Sequence, residues 1–118
     1  MKLMPVTIYH NPRCSKSRTT LQLLEEKKIE PVIVEYLKTP PDAKTLDELL
    51  TKLGMEPRDL MRKHENEYKE NHLDDDSLSR DELIAAMLKF PKLIERPIVV
   101  ANNKVVIGRP PEKVLEIL

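Results

Sequence analysis

The chain has 118 residues, with 20 Lys plus Arg against 20 Asp plus Glu, so its formal net charge is zero at pH 7. That length suits a single domain spanning residues 1–118, and an apolar share of 40% is too high for intrinsic disorder. Balanced charge supplies no basic field for duplex nucleic acid, and without Trp there is little aromatic surface for stacking on single strands.

In chain order, Met1-Lys2-Leu3-Met4-Pro5 lacks the apolar core of a signal peptide and runs straight into an apparent strand. No later apolar run approaches the ~20 residues of a membrane span, so neither membrane nor nucleic acid is an expected partner. Val6-Thr7-Ile8-Tyr9 is β-branched or aromatic and reads as that strand, stopped by Asn11-Pro12. Thr20, Leu21, Leu24 and Lys28 then recur at helical spacing along one face. Pro31 opens Val32-Ile33-Val34, a continuous apolar run of the kind found in strands covered on both faces. Strand, helix and strand in about thirty residues make a βαβ unit with a right-handed crossover.

Pro40-Pro41 breaks the chain before an amphipathic helix with Leu46, Leu49, Leu50 and Leu53 on one face. Asp42 or Thr45 caps it, Thr45 with Glu48 matching a capping box, and Gly54 suits its left-handed end. Pro57 opens a short helix through Leu60, Met61 and His64. Residues 65–76 are polar and acid-rich without period. Ser79 and Glu82 form a second capping box ahead of Leu83, Ile84, Met87 and Leu88, and Phe90-Pro91 ends that helix. Ile98–Ala101 and Lys104–Ile107 flank Asn102-Asn103, the signature of a hairpin with a type I′ turn. Pro110-Pro111 starts a last helix expected to turn Val114, Leu115 and Leu118 inward. The order βαβ, helices, ββα predicts an α/β thioredoxin-like fold with a helical insertion at about residues 42–90.

The one cysteine, Cys14, falls where the first strand passes into the first helix. There the free N–H groups and positive dipole end of a helix favour a thiolate. Arg13, Lys16 and Arg18 add positive charge, and Ser17 stands where a resolving cysteine would sit in a CxxC pair. The pattern is that of a nucleophilic thiolate, set against the plainer reading of a small buried cysteine with solvated neighbours. Any disulfide must be completed by an outside thiol, which suits a reducing cytoplasmic setting. A phosphatase-type loop needs Arg at position 20, which is Thr20, and glycines, of which there is none before Gly54. His64 and His72 have no partners at zinc-ligand spacing, and Asp74-Asp75-Asp76 lacks the spaced ligands of a calcium loop, so no metal is expected. Arg62, Arg96 and Arg109 stand out by context, since guanidiniums grip oxyanions bidentately.

Four segments together carry a resemblance. Ile8-Tyr9-His10-Asn11-Pro12-Arg13-Cys14, Leu60-Met61-Arg62-Lys63, Glu95-Arg96-Pro97-Ile98-Val99-Val100 and Ile107-Gly108-Arg109-Pro110-Pro111 resemble, in order, the glutaredoxin-dependent arsenate reductase family, and within it a short branch named mostly by analogy. After the cysteine the chain has Ser15-Lys16-Ser17-Arg18 where well-studied members have Gly-Thr-Ser-Arg.

The resemblance implies Cys14 as nucleophile, Arg62, Arg96 and Arg109 as substrate-binding residues, and His10 and Ser17 as thiolate-stabilising ones. It implies arsenate as substrate, glutathione as co-substrate, glutaredoxin as partner and no bound cofactor, while the place of Arg96–Pro97 directly before a hairpin strand of a thioredoxin-like fold predicts a cis bond there. The alternatives are a redox-responsive regulator binding RNA polymerase, whose CxxC switch Ser17 removes, and a thiol oxidoreductase for another small substrate. A cluster-holding monothiol glutaredoxin is a further variant of the latter.

Overall fold

β-branched residues set the first strand and a proline ends it: β1 covers Thr7–Tyr9 and the chain leaves it through Asn11-Pro12. The computed structural model describes residues 5–118, so the start at Met1 to Met4, expected to lead into the first strand, lies outside the described residues. Helix α1 spans Ser15–Glu26 and β2 spans Val32–Val34. Later come α2 (Ala43–Leu53), α3 (Asn66–Glu70), α4 (Arg80–Lys89), β3 (Ile98–Ala101) and β4 (Lys104–Ile107), with 3₁₀ segments at Pro57–Leu60, Pro91–Leu93 and Pro111–Ile117.

The chain divides into two compact units, one of Met1–Thr39 with Arg96–Leu118 and one of Pro40–Glu95. In the first, the strands form one sheet in the order β2-β1-β3-β4. β1 runs parallel to β2 and antiparallel to β3, with Ile8 opposite both Ile33 and Val99. β3 and β4 form the expected hairpin, Asn102 and Asn103 both holding positive φ (52° and 62°). Alternation puts Ile8, Val99 and Ala101 on one face, where Leu24 of α1 and Val114 and Ile117 of the last segment close the core. This is the thioredoxin-like arrangement that the element order implied.

Three readings need correction in this unit. Lys28 lies beyond α1, exposed and with φ of 61°, because the helix has already ended at Glu26. Strand β2 is not covered on both faces: Val32 and Ile33 are 55% and 48% exposed. It is an edge strand, and its β-branched residues fit the pleat without being buried. The last segment is 3₁₀ rather than α, with three residues per turn. Pro111, Val114 and Ile117 therefore face inward, and Leu115 and Leu118 face out.

The second unit is the helical insertion, reaching Glu95 rather than residue 90 because Met61 bridges to Ile94. Helix α2 is capped by Asp42, which accepts from the N–H of Thr45 at 2.8 Å, so Asp42 and not Thr45 is the cap. Leu46, Leu49 and Leu50 are buried, and Gly54 closes the helix in the left-handed region, as its place after the apolar stripe implied. The Ser79–Glu82 capping box starts α4 as read from sequence. Arg80 there donates to Asp47 of α2 at 2.7 Å. The helix expected after Pro57 stops at Leu60, before Met61 and His64, and the polar stretch after it holds the short α3.

One close approach shapes the sheet's functional end. A Cβ on Gly108 would lie 2.6 Å from Oγ1 of Thr20 and 2.9 Å from Cγ of Pro97. Gly108→Ala is therefore expected to cost about 1–3 kcal/mol in denaturant unfolding. Thr20→Ala in the same background should recover part of it, and an unchanged unfolding midpoint in the single variant would contradict the packing described.

Candidate functional site

Proline 12 forces the chain out of β1 into a turn, and Asn11 organises that turn. The Asn11 side-chain oxygen accepts from the N–H of Arg13, and its main-chain oxygen from the N–H of Cys14, both at 3.0 Å. Arg18 donates from Nη1 to the Pro12 oxygen at 3.0 Å. Cys14 thereby becomes the residue that caps α1, extended at φ −93°, ψ 123°. At that position a side-chain acceptor meets the free N–H groups of the first turn. Cys14, half-buried, occupies that position; its sulfur makes no capping hydrogen bond but lies close enough to the first-turn N–H groups to feel them.

Burial alone would push the Cys14 thiol up. The N–H of Ser17, the Arg96 guanidinium as donor and as charge, and the N–H of Lys16 together outweigh it and hold the thiol below its ordinary value. Ser17 thus meets the sulfur through its main chain. Its fully buried hydroxyl lies 2.6 Å from Nδ1 of His10 and accepts from the N–H of Asn11 at 3.0 Å. Burial keeps His10 below the ordinary histidine value, with Glu35 opposing and Arg18 adding to the effect. His10 and the Ser17 hydroxyl hold the turn from behind.

Arg96 ends the segment before β3, and the Arg96–Pro97 bond is cis, as expected from its place in the fold; Arg109–Pro110 is cis as well. Arg109 donates from Nη1 to the Arg96 carbonyl at 3.3 Å. Thr20, Pro97 and Gly108 pack where this loop passes α1, a contact that no local pattern signals. Asn11 was read only as a strand terminator, although an Asn two residues before a donor N–H is the signal of an Asx turn. The first unit thus brings together Cys14, His10, Ser17 and Arg96, with Arg109 joined to the Arg96 main chain.

Arg62 belongs to the second unit. Its side chain is 13% exposed and its Nε and Nη1 donate to Glu65 (3.2 Å) and Glu95 (3.4 Å). Its Nη2 lies 2.9 Å from Nε2 of His64. Three of its five donors are spent on fixing its plane. No cluster of three His, Cys, Asp or Glu that could hold a metal occurs among the described residues. No described helix is long and apolar enough to cross a membrane.

A lowered thiol beside a guanidinium is an arrangement for nucleophilic attack on a tetrahedral oxyanion. Known proteins bear on this. Residues 9–117 match the model of the ArsC family. The chain is 63% identical over 114 residues to the uncharacterised protein YfgD of Escherichia coli K12, covering 96% of each. It is 50% identical over 116 residues to the arsenate reductase of Haemophilus influenzae, covering 98% of this chain and 100% of that one. The solved structure of an arsenate reductase from Vibrio cholerae superposes with a TM-score of 0.94 at 55% identity, covering 99% of this chain and all of that one.

The lowered thiol has a direct readout. Alkylation of Cys14 followed against pH should inflect below the ~8.5 of a free thiol, and Arg96→Gln should move the inflection upward. An inflection at the free-thiol value in the native protein would remove the activated thiolate.

Proposed function

Because the chain belongs to the ArsC family, we propose that it reduces arsenate to arsenite through an adduct on Cys14, with glutathione as co-substrate and glutaredoxin as reducing partner. The observation that carries this reading is the Cys14 sulfur at the start of α1 with the Arg96 guanidinium acting on it. Arg96 also has its Nε buried without a hydrogen-bond partner. Such a donor costs about 1–3 kcal/mol until an acceptor arrives, and an oxyanion supplies one.

In this reading Arg96 and Arg109 hold arsenate in the first unit. Arg62 is the third substrate arginine, its guanidinium pre-oriented by Glu65 and Glu95. The Cys14 thiolate attacks arsenic and one arsenate oxygen leaves as water after protonation. The arsenic is still As(V). Glutathione thiolate then attacks the Cys14 sulfur. The pair of the S–As bond stays on arsenic, which departs as arsenite, As(III), and the two sulfurs are oxidised to a mixed disulfide. Glutaredoxin takes up the glutathione and returns Cys14 to the thiolate. All electrons come from thiols, so the reaction needs no bound cofactor and belongs in the reducing cytoplasm. His10 and Ser17 act by holding the turn in which the sulfur sits.

Arsenate reduction with glutathione and glutaredoxin should be present in the native protein and abolished by Cys14→Ser. Absence of turnover from folded native protein would overturn arsenate as the substrate. Arg96→Lys keeps the charge and loses the fork, so kcat/KM for arsenate should fall by about tenfold or more, roughly 1.4 kcal/mol. The melting temperature should barely move, and parallel losses in both would instead assign Arg96 a structural role.

A further inference from the structure

The turn that presents Cys14 also forms one wall of a hollow of about 200 Å³, whose other wall is the segment after β2 with Glu35, Leu37 and Lys38. Ligands of drug size occupy roughly 300–1,000 Å³, so this space suits one end of a small molecule. Its charges are mixed. Arg13 and Lys38 bring two cations and Glu35 one carboxylate, with Leu37 as an apolar side. A plain oxyanion would be attracted by the cations and repelled by Glu35. A group carrying a carboxylate and an ammonium side by side satisfies all three.

The existing contacts leave room for that exchange. Glu35 and Lys38 lie 3.6 Å apart with side chains 42% and 79% exposed, and such surface pairs are worth little. Arg13 is exposed and its guanidinium enters no ion pair among the described residues. The wall itself is preformed, because Asn11 and Arg18 tie the turn's main chain at 3.0 Å each. Arg13 adjoins Cys14, and one residue of extended chain spans roughly 3.3–3.6 Å. A ligand whose head sits in the hollow therefore lies against the turn whose next residue carries the sulfur.

We infer that this hollow is the seat of the zwitterionic α-amino-acid head of a γ-glutamyl thiol, the co-substrate that attacks Cys14. The inference rests on the thiol-dependent reaction proposed above, and it places recognition of that thiol on Arg13, Glu35 and Lys38, apart from the substrate arginines.

The test uses no arsenate, so its failure is distinguishable from failure of the arsenate reading. Cys14 of the full chain is converted to its mixed disulfide with thionitrobenzoate, and release of the coloured thiolate is followed as an added thiol attacks the Cys14 sulfur. Glutathione is compared with thioglycolate, whose ionised form carries the same net charge but no amino-acid head. Each rate is normalised to the same thiol attacking the free reagent.

Native protein should prefer glutathione by about tenfold, the worth of one charge-assisted contact. The double variant Arg13→Gln/Lys38→Gln should lose most of that preference, read as the ratio of its normalised glutathione and thioglycolate rates so that general attraction of anions cancels. Glu35→Gln, tested separately, should lower the preference as well. No preference in the native protein, or a preference that survives the double variant, would overturn the subsite.

Discussion

The first turn of α1 presents N–H groups that need an acceptor, and Cys14 stands at the cap position with no capping hydrogen bond of its own. Most helices meet this need with an oxygen from Ser, Thr, Asp or Asn. A thiolate at that position is favoured by the dipole and the nearby N–H groups, which ties the reactivity of the residue to the helix start. It also couples the cysteine to stability. With its folded value below the unfolded one, Cys14 contributes stability that is full above the unfolded value and is lost as pH falls through the folded one. The Asn11 turn and the His10–Ser17 pair serve that placement, since a capping sulfur turned away from the amides would be an ordinary thiol.

The second requirement is positive charge delivered from far along the chain. Arg96 arrives on the segment before β3 and Arg109 on the segment after β4, and the hairpin keeps these two ends together because its register pairs Ile98 with Ile107. Gly108 lets the returning chain pass against Thr20 and Pro97, with no space for a side chain there. A small residue at the hairpin's end thereby sets where an arginine lies. Arg62 illustrates the opposite device, since its guanidinium is held by Glu65 and Glu95 on either side of its own chain segment. Fixing a long side chain in advance reduces the rotamer entropy that binding must otherwise remove.

Much of this was legible in local pattern. The order of elements, the hairpin at Asn102-Asn103, the end of α2 at Gly54, the Ser79–Glu82 cap and Cys14 at a helix start follow from backbone preferences acting within a few residues. Errors arose where periodicity was asked to report burial. Val32-Ile33-Val34 reads as a covered strand, yet β2 is an edge, and the number of neighbours of a strand is not encoded in its own residues. Leu115 and Leu118 fit an α-helical face, but the segment winds as 3₁₀ and the inward spacing becomes three.

The sequence by itself determined the strands, the main helices, their order and the place of the one cysteine at a helix start, because capping, turn and helix preferences are short-ranged. The tertiary structure alone decided that Arg96 acts on Cys14 with Arg109 joined to the Arg96 main chain, that Glu65 and Glu95 orient Arg62, and that Arg13 shares a hollow with Glu35 and Lys38. Those juxtapositions join residues up to some ninety positions apart. They come from strand register and close packing, in which each contact depends on many others at once.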